Sequence, residues 1–349
     1  MASLHDQFHR ERLPAPARPP WRRVRETLHA YAYLLPAAAV LAVFWFLPIF
    51  LSAFLSLTNW RGGDTADVAR YVGLANYRRA VADVEFRQSL YNTINYALLT
   101  VPLTLAAGLG AALLLNRPLR GVGLFRTLSF LPYVTTWVAI AIVFRVFFDR
   151  EFGLANQTLA VLHLPWRPTW LDEPRGLWEM LIGVLRGRPD FHIPVAAPLG
   201  PLLAGPSLAM ACLIAASVWR GAGFAMVVYL AGLQTIDRSY FDAASIDGAG
   251  PWARLRCITL PLLRPTTFFL ALVTLIDALK AFVPTLVMTP NGGPANTTST
   301  IVFYLYRVGF SETWEMGYAS AVAYILMGLI LALTLVQLAG RRPVRPDTD

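Results

Sequence analysis

From Ala30 to Trp60 the chain carries no charged residue. That run exceeds the roughly 20 residues a helix needs to cross a bilayer, and it is longer than the roughly 7 to 15 of a signal-peptide core, so it reads as an uncleaved first crossing. A second charge-free run extends from Gln88 to Asn116. With further apolar stretches at about 126–148, 207–234, 266–288 and 316–340, and the first two crossings placed at about 31–57 and 89–115, the pattern predicts an all-α polytopic membrane protein with six transmembrane helices. Composition supports this: 56% of the 349 residues are hydrophobic and only 15% charged, far from soluble-domain averages.

The remaining organisation follows from the crossings. Residues 1–29 form a basic leader, 30–340 the six-span domain, and 341–349 a tail. The connection 149–206 is a long external loop containing a helical piece at Leu177 to Leu185, and 235–265 is a loop on the opposite side. Six crossings put both termini on one side, and arginine decides which, because Lys280 is the only lysine in a chain of net charge +9. The leader, the 116–126 link, the 235–265 loop and the tail hold 6, 3, 4 and 3 arginines against 8 acids in all, whereas the other loops are near neutral. By the positive-inside rule the termini and the 235–265 loop are cytoplasmic. The basicity therefore reflects orientation in lipid and implies no nucleic-acid partner.

Several function classes lack the residues they need. A phosphate-binding Walker loop requires Gly-Lys-Ser/Thr, and Lys280 follows Leu279. There is no His-Glu-x-x-His helix, no Gly-x-Ser-x-Gly elbow and no cluster of Cys and His ligands, so neither catalysis nor a metal site is expected. Cys212 and Cys257 lie too far apart in context for a disulfide framework and are expected to be free thiols. His163 and His192 fall in the long external loop.

The polar stretch from Tyr240 to Pro265 is the chain's most patterned part. Ala243 and Ala244 follow Tyr240 at helical spacing and Asp247 completes the face. Gly248 or Gly250 is expected to take the left-handed conformation that ends a helix, and Pro251 to open a second one. A short helix, a tight turn and another short helix result, with Tyr240, Trp252, Leu255 and Ile258 as apolar knobs beside the acids Asp242 and Asp247. Such an object fits a groove.

This spacing resembles the cytoplasmic coupling loop of ABC importer permeases, which runs Glu-Ala-Ala, three residues, Gly, nine residues, Ile, one residue, Leu-Pro. Ala243, Ala244, Gly248, Ile258, Leu260 and Pro261 match in register, with Asp242 in place of the usual Glu. Further segments are similar to the sugar-importing branch, the maltose and glycerol-phosphate permease type: Tyr71 to Tyr77, Asn92-Thr93, Leu230 to Gln234, Leu279-Lys280-Ala-Phe282, Thr289, Gly292-Gly293-Pro294 and Thr298. The single amino-terminal crossing resembles the first of that branch's two permease partners. Two departures stand out: Val283 where Asp is expected after Phe282, and an apparent insertion from about 177 to 206. The resemblance implies a type I ABC importer permease fold in a bacterial or archaeal cell membrane. It also implies a heterodimer with a second permease, two ATP-binding subunits docked on the coupling loops, and an extracytoplasmic sugar-binding protein. This chain itself would hold no cofactor, with ATP and Mg confined to the ATPase partner, and would move sugar by alternating access. The rival from another class is a self-sufficient secondary transporter or channel driven by ions.

Charges inside the crossings bear on that choice. Arg220 lies 15 residues before Thr235, and Asp277 and Lys280 lie 11 and 14 residues after Thr266, which at 1.5 Å per residue places all three roughly 17 to 22 Å from the cytoplasmic end. Asp277 and Lys280 are one helical turn apart, so an ion network between the fourth and fifth crossings is one reading and a water-filled substrate path is another. Sugar recognition needs aromatic faces and hydrogen-bonding groups, for which Tyr133, Thr135, Thr136, Trp137, Trp219 and Tyr229 are available. Arg145, near the outer end of the third crossing, is expected to snorkel to the surface.

Overall fold

The computed structural model describes residues 20–62, 69–117, 120–163, 167–186 and 205–340; the leader up to residue 19, the tail, His192 and much of the apparent insertion fall outside them. The chain divides into two compact units between Phe54 and Leu55. The first contains α1 (Pro20–Leu41) and a π-helical turn, Ala42–Phe46, which passes without a break in backbone conformation into α2 (Leu47–Ser56). Thr27–Ser56 is long and apolar enough to cross a membrane, and side chains such as Phe44, Trp45 and Phe50 are exposed on it, as a lipid-facing helix requires.

The second unit continues with α3 (Ala75–Ala82), α4 (Val84–Leu115), α5 (Val122–Val134), α6 (Trp137–Phe147), α7 (Leu154–Val161) and α8 (Leu177–Leu185). Then come α9 (Leu208–Gln234), α10 (Arg238–Ile246), α11 (Pro251–Arg254), α12 (Leu260–Leu262), α13 (Arg264–Leu279), α14 (Val283–Met288), α15 (Ile301–Tyr306) and α16 (Met316–Ala339). The described residues contain no strand beyond two isolated bridges, so the all-α class holds. Four helices pass a length and hydropathy test for crossing: Thr27–Ser56, α4, α9 and α16. Two bent pairs bring the number to six if each is one crossing: α5 with α6, and Pro251–Leu262 with α13.

The bends mark where the helices differ from the simple pattern. The stretch read as 126–148 turns by 98° between α5 and α6. Pro132 withholds an N–H from α5, and the Thr135 hydroxyl donates to the Leu131 carbonyl at 3.0 Å as the backbone becomes extended at Thr135. The stretch read as 266–288 stops at Leu279 and resumes at Val283, where Pro284 sits in the first turn and its missing N–H leaves no helical bond unmade.

Helix α9 forms the centre of the second unit and packs on α4 and α5. Small residues permit this. A Cβ at Gly108 of α4 would come within 2.4 Å of the Ala225 Cβ, and one at Gly223 would meet the Ser129 carbonyl of α5 at 2.1 Å. Backbones that approach so closely gain van der Waals contact, the main attraction available between helices in lipid.

A buried polar network ties the first part of α4 to the loop between α14 and α15. The Asn92 amide donates to the carbonyls of Asn296 at 2.8 Å and Ser299 at 3.0 Å, and the Ile301 N–H donates to the Thr93 hydroxyl at 2.8 Å. The Thr285 and Thr300 hydroxyls donate to the Thr298 and Ala281 carbonyls, and Thr298 to the Thr289 hydroxyl. Positive φ at Asn291, Gly292, Gly293, Ala295 and Asn296 folds the loop back on itself. Nearby, Asp83 caps α4 through the N–H groups of Glu85 and Phe86 and accepts from the Tyr304 hydroxyl at 2.6 Å and the Tyr318 hydroxyl at 3.0 Å.

Candidate substrate cavity and docking loop

The loop from Asp237 to Leu263 builds a self-supporting object. Asp237 caps α10 by accepting the Ser239 N–H at 2.9 Å, and hydrogen bonds from Ser239 hold its carboxyl below the usual range. At the other end of α10 the N–H groups of Asp247, Gly248 and Ala249 donate to Ala243, Ser245 and Ala244, with Gly248 at φ +73°. The left-handed role thus falls to Gly248. Gly250 is extended and precedes Pro251, which opens α11, while Arg254 Nε donates back to the Ala249 carbonyl at 2.8 Å and closes the turn. A π-helical turn, Leu255–Thr259, links α11 to α12.

Among the described residues the outward face is unpartnered. Ile246 is 88% exposed, Trp252 72% and Tyr240 55%, and Asp242, Ala243, Asp247 and Leu260 are exposed beside them. Ala244, Leu255, Ile258 and Pro261 are half-buried. Leu263 fixes the object to the core: it is buried in the cluster containing Met226, Tyr229, Leu233 and Leu270, while Tyr229 donates to the Thr267 hydroxyl at 3.2 Å. From there α13 runs 16 residues without interruption to Leu279, about 24 Å.

At the far end of α13 lies a cavity of about 330 Å³. Tyr96, Thr100 and Thr104 of α4 line it, with Tyr133 and Trp137 from the α5–α6 bend, Ser217, Arg220 and Phe224 of α9, and the segment from Asp277 to Pro284. The Arg220 guanidinium lies 4.9 Å from the Tyr133 ring centre and 5.2 Å from that of Trp137, and Tyr133 in turn stacks on Phe224 at 4.7 Å. Arg220 makes one long bond, 3.4 Å to the Tyr133 carbonyl, and its Nε is buried without a protein acceptor. Asp277 and Lys280 are exposed at the cavity wall. Among the described residues no ion pair joins Arg220, Asp277 or Lys280, so the alternative of an ion network between α9 and α13 is not formed.

Of the residues expected along a substrate path, the cavity gathers Tyr133, Trp137, Arg220, Asp277 and Lys280. Trp219 does not join them. One position before Arg220 it points about 100° away around the helix, is 51% exposed, and meets the edge of Phe144 at 5.4 Å. Tyr229 belongs to the apolar cluster around Leu263, and Arg145 reaches the Val287 carbonyl at 3.4 Å. Sequence reading missed Tyr96, Thr100 and Thr104, although they repeat every fourth residue as a polar stripe on an apolar helix.

Helices long and apolar enough to cross a membrane, a cavity walled by Arg220, Asp277 and Lys280, and an exposed loop joined to it through α13 are features that suit a transport permease. The chain belongs to the family of binding-protein-dependent transport system inner membrane components, whose pattern matches residues 104–342. It is similar to the lactose transport system permease protein LacF of Rhizobium radiobacter, 33% identical over 318 residues, which covers 90% of this chain and 94% of that one. It is also similar to the sn-glycerol-3-phosphate transport system permease protein UgpA of Yersinia pestis, 29% identical over 311 residues, covering 88% and 92%. In fold it is similar to a chain in the crystal structure of a bacterial alginate ABC transporter in complex with alginate pentasaccharide-bound periplasmic protein. The TM-score is 0.71 at 20% identity, covering 91% of this chain and 95% of that one. The chain is therefore a transport permease subunit of the inner membrane, and family membership favours this over a self-sufficient secondary transporter.

Proposed function

We propose that this chain forms one half of the pore of an ATP-driven sugar importer, in which the 330 Å³ cavity is a substrate station and the loop from Tyr240 to Pro261 is the seat of an ATPase subunit. The observation that carries the reading is α13, a single helix anchored beside the exposed loop through Leu263 and ending at the cavity through Asp277. A displacement imposed on the loop passes the 67° bend at the buried Leu263 and is then carried to the cavity wall by one uninterrupted helix. The rest of the proposal is supported by relatives described as carrying lactose, glycerol phosphate and alginate. A second permease closes the cavity, ATP with Mg binds only in the two ATPase partners, and an extracytoplasmic binding protein delivers the sugar. The arginine distribution supports cytoplasmic termini and a cytoplasmic docking loop. Binding of ATP then rocks the two permeases between inward-open and outward-open states.

The test uses Cys257, which is free and exposed within the docking loop. In vesicles of the complete transporter, an impermeant, bulky thiol reagent added to the cytoplasmic face is expected to abolish ATP-dependent sugar movement. The same reagent added outside is expected to leave it intact, and Cys257→Ser is expected to be resistant on both sides. Inhibition from the outer face alone would invert the topology. Uptake that persists without the ATPase subunits would end the coupling assignment.

A further inference from the structure

We infer that the cavity takes a saccharide bearing an anionic group, a carboxylate or a phosphate, received by Arg220 and Lys280. This rests on the substrate role just proposed for the cavity. Arg220, Lys280 and Asp277 are the charged side chains of the wall, so with Asp277 ionised the lining keeps an excess of one positive charge. A cation at membrane depth is costly unless water or an anion compensates it, and within this chain no acid lies in ion-pair range of either Arg220 or Lys280 among the described residues.

The way Arg220 is held points the same way. Its guanidinium carbon lies over the rings of Tyr133 and Trp137, its bond to the described residues is long, and its buried Nε is unmatched. A guanidinium held by ring contacts and one long bond keeps further donors for a ligand, and its fork suits the oxygens of a carboxylate or phosphate. Lys280, at the end of α13, adds a compact charge with three donors. A neutral sugar has no use for two spare cations. The exposed Asp277 carboxylate at the wall accepts from sugar hydroxyls and leaves the anionic group to Arg220 and Lys280.

The test compares two disaccharides that differ by one carboxylate, cellobiose and cellobiouronic acid. Binding is measured on the purified complex of this chain with its permease and ATPase partners, without the binding protein, as Trp137 fluorescence read against a Trp137→Phe complex. The acid is expected to bind about tenfold more tightly, as charged hydrogen bonds allow, with the advantage shrinking as salt rises. Lys280→Gln should remove most of that advantage and Asp277→Asn should enlarge it, opposite signs that general damage to the site does not produce. Equal or tighter binding of cellobiose, or a shift of the acid in the same direction by both variants, would overturn the anionic assignment while leaving sugar binding in the cavity intact. If neither sugar changes the Trp137 signal and Tyr133→Ala leaves ATP-driven uptake unchanged, the cavity is not a substrate station and this inference fails with that reading.

Discussion

Two polar loops among the described residues, that from Thr289 to Thr300 and that from Asp237 to Leu263, are finished in opposite ways. Both turn on left-handed residues, Gly292 and Gly293 in one and Gly248 in the other. In the first, the Thr285, Thr289, Thr298 and Thr300 hydroxyls and the Asn92 amide find partners inside the chain, and the threonines are buried. In the second, backbone groups are satisfied by caps while Tyr240, Ile246 and Trp252 stay exposed. A polar loop closed on itself fixes a fold, whereas a polar loop that holds its backbone rigid and leaves its apolar knobs bare is shaped for another surface.

The largest effect that separates them is expected from Asn92→Ala. Losing that amide orphans the Ser299 carbonyl, at about 1 to 3 kcal/mol for a group left buried without a partner, and takes from the Asn296 carbonyl one of its two donors, the Ser299 N–H remaining. The variant should show a clearly lowered thermal midpoint and reduced recovery from the membrane. Asp242→Ala combined with Trp252→Ala should leave the midpoint close to that of the parent and instead weaken co-purification of the ATPase. Equal loss of stability in both would show that the loop from Asp237 to Leu263 is as much a part of the fold as the network around Asn92.

How much was legible follows the same division. The apolar helices and the helix–turn–helix form of the 235–265 loop could be read because each is local: a charge-free run, a capped helix, a Gly before Pro. The π-helical turns, the 98° bend after Val134 and the interruption at Lys280 could not, since an apolar run looks the same whether or not its helix stays straight. Arg220, Asp277 and Lys280 were singled out by cost alone, but whether they pair or line a cavity is decided by the rotation of α9 against α13, which no sequence spacing records. Asn92-Thr93 and Gly292-Gly293-Pro294 were visible only as separate patterns. Their joint role rests on hydrogen bonds spanning 204 and 207 positions.

A smaller effect is expected at Gly248, where the two causes of glycine intolerance can be told apart. A Cβ there meets nothing within 4 Å, yet φ is +73°, so Gly248→Ala should cost only the left-handed penalty of about 1 to 2 kcal/mol. Because α10 and α11 are held together by that turn, ATP-dependent uptake should fall while the network around Asn92 and the amount of inserted protein stay unchanged. Gly248→Asn, which tolerates the left-handed region better, should recover part of the uptake. If Ala and Asn behave alike, backbone conformation is not what this position supplies.

The smallest effect concerns the acids that cap a helix in each region, Asp83 near the network around Asn92 and Asp237 in the loop from Asp237 to Leu263. Burial of Asp83 raises its pKa, but the hydroxyls of Tyr304 and Tyr318 and the N–H groups of Phe86 and Glu85 together outweigh that and hold the carboxyl below its usual range. A carboxyl depressed in the folded state contributes stability that is fully present above its unfolded pKa, about 3.9, and is lost as pH falls through the lower folded value. Through neutral and mildly alkaline conditions the contribution of Asp83 should therefore be constant with pH, while stability declines below about pH 4. Asp83→Asn should lower stability at pH 7 and flatten that acidic decline. Asp237 is depressed by Ser239 alone and lies fully in solvent, so Asp237→Asn should leave the acid profile of the whole protein as it was. A flattened profile from Asp237→Asn and an unchanged one from Asp83→Asn would reverse the assignment of the self-closed region to the network around Asn92 and of the open one to the loop from Asp237 to Leu263.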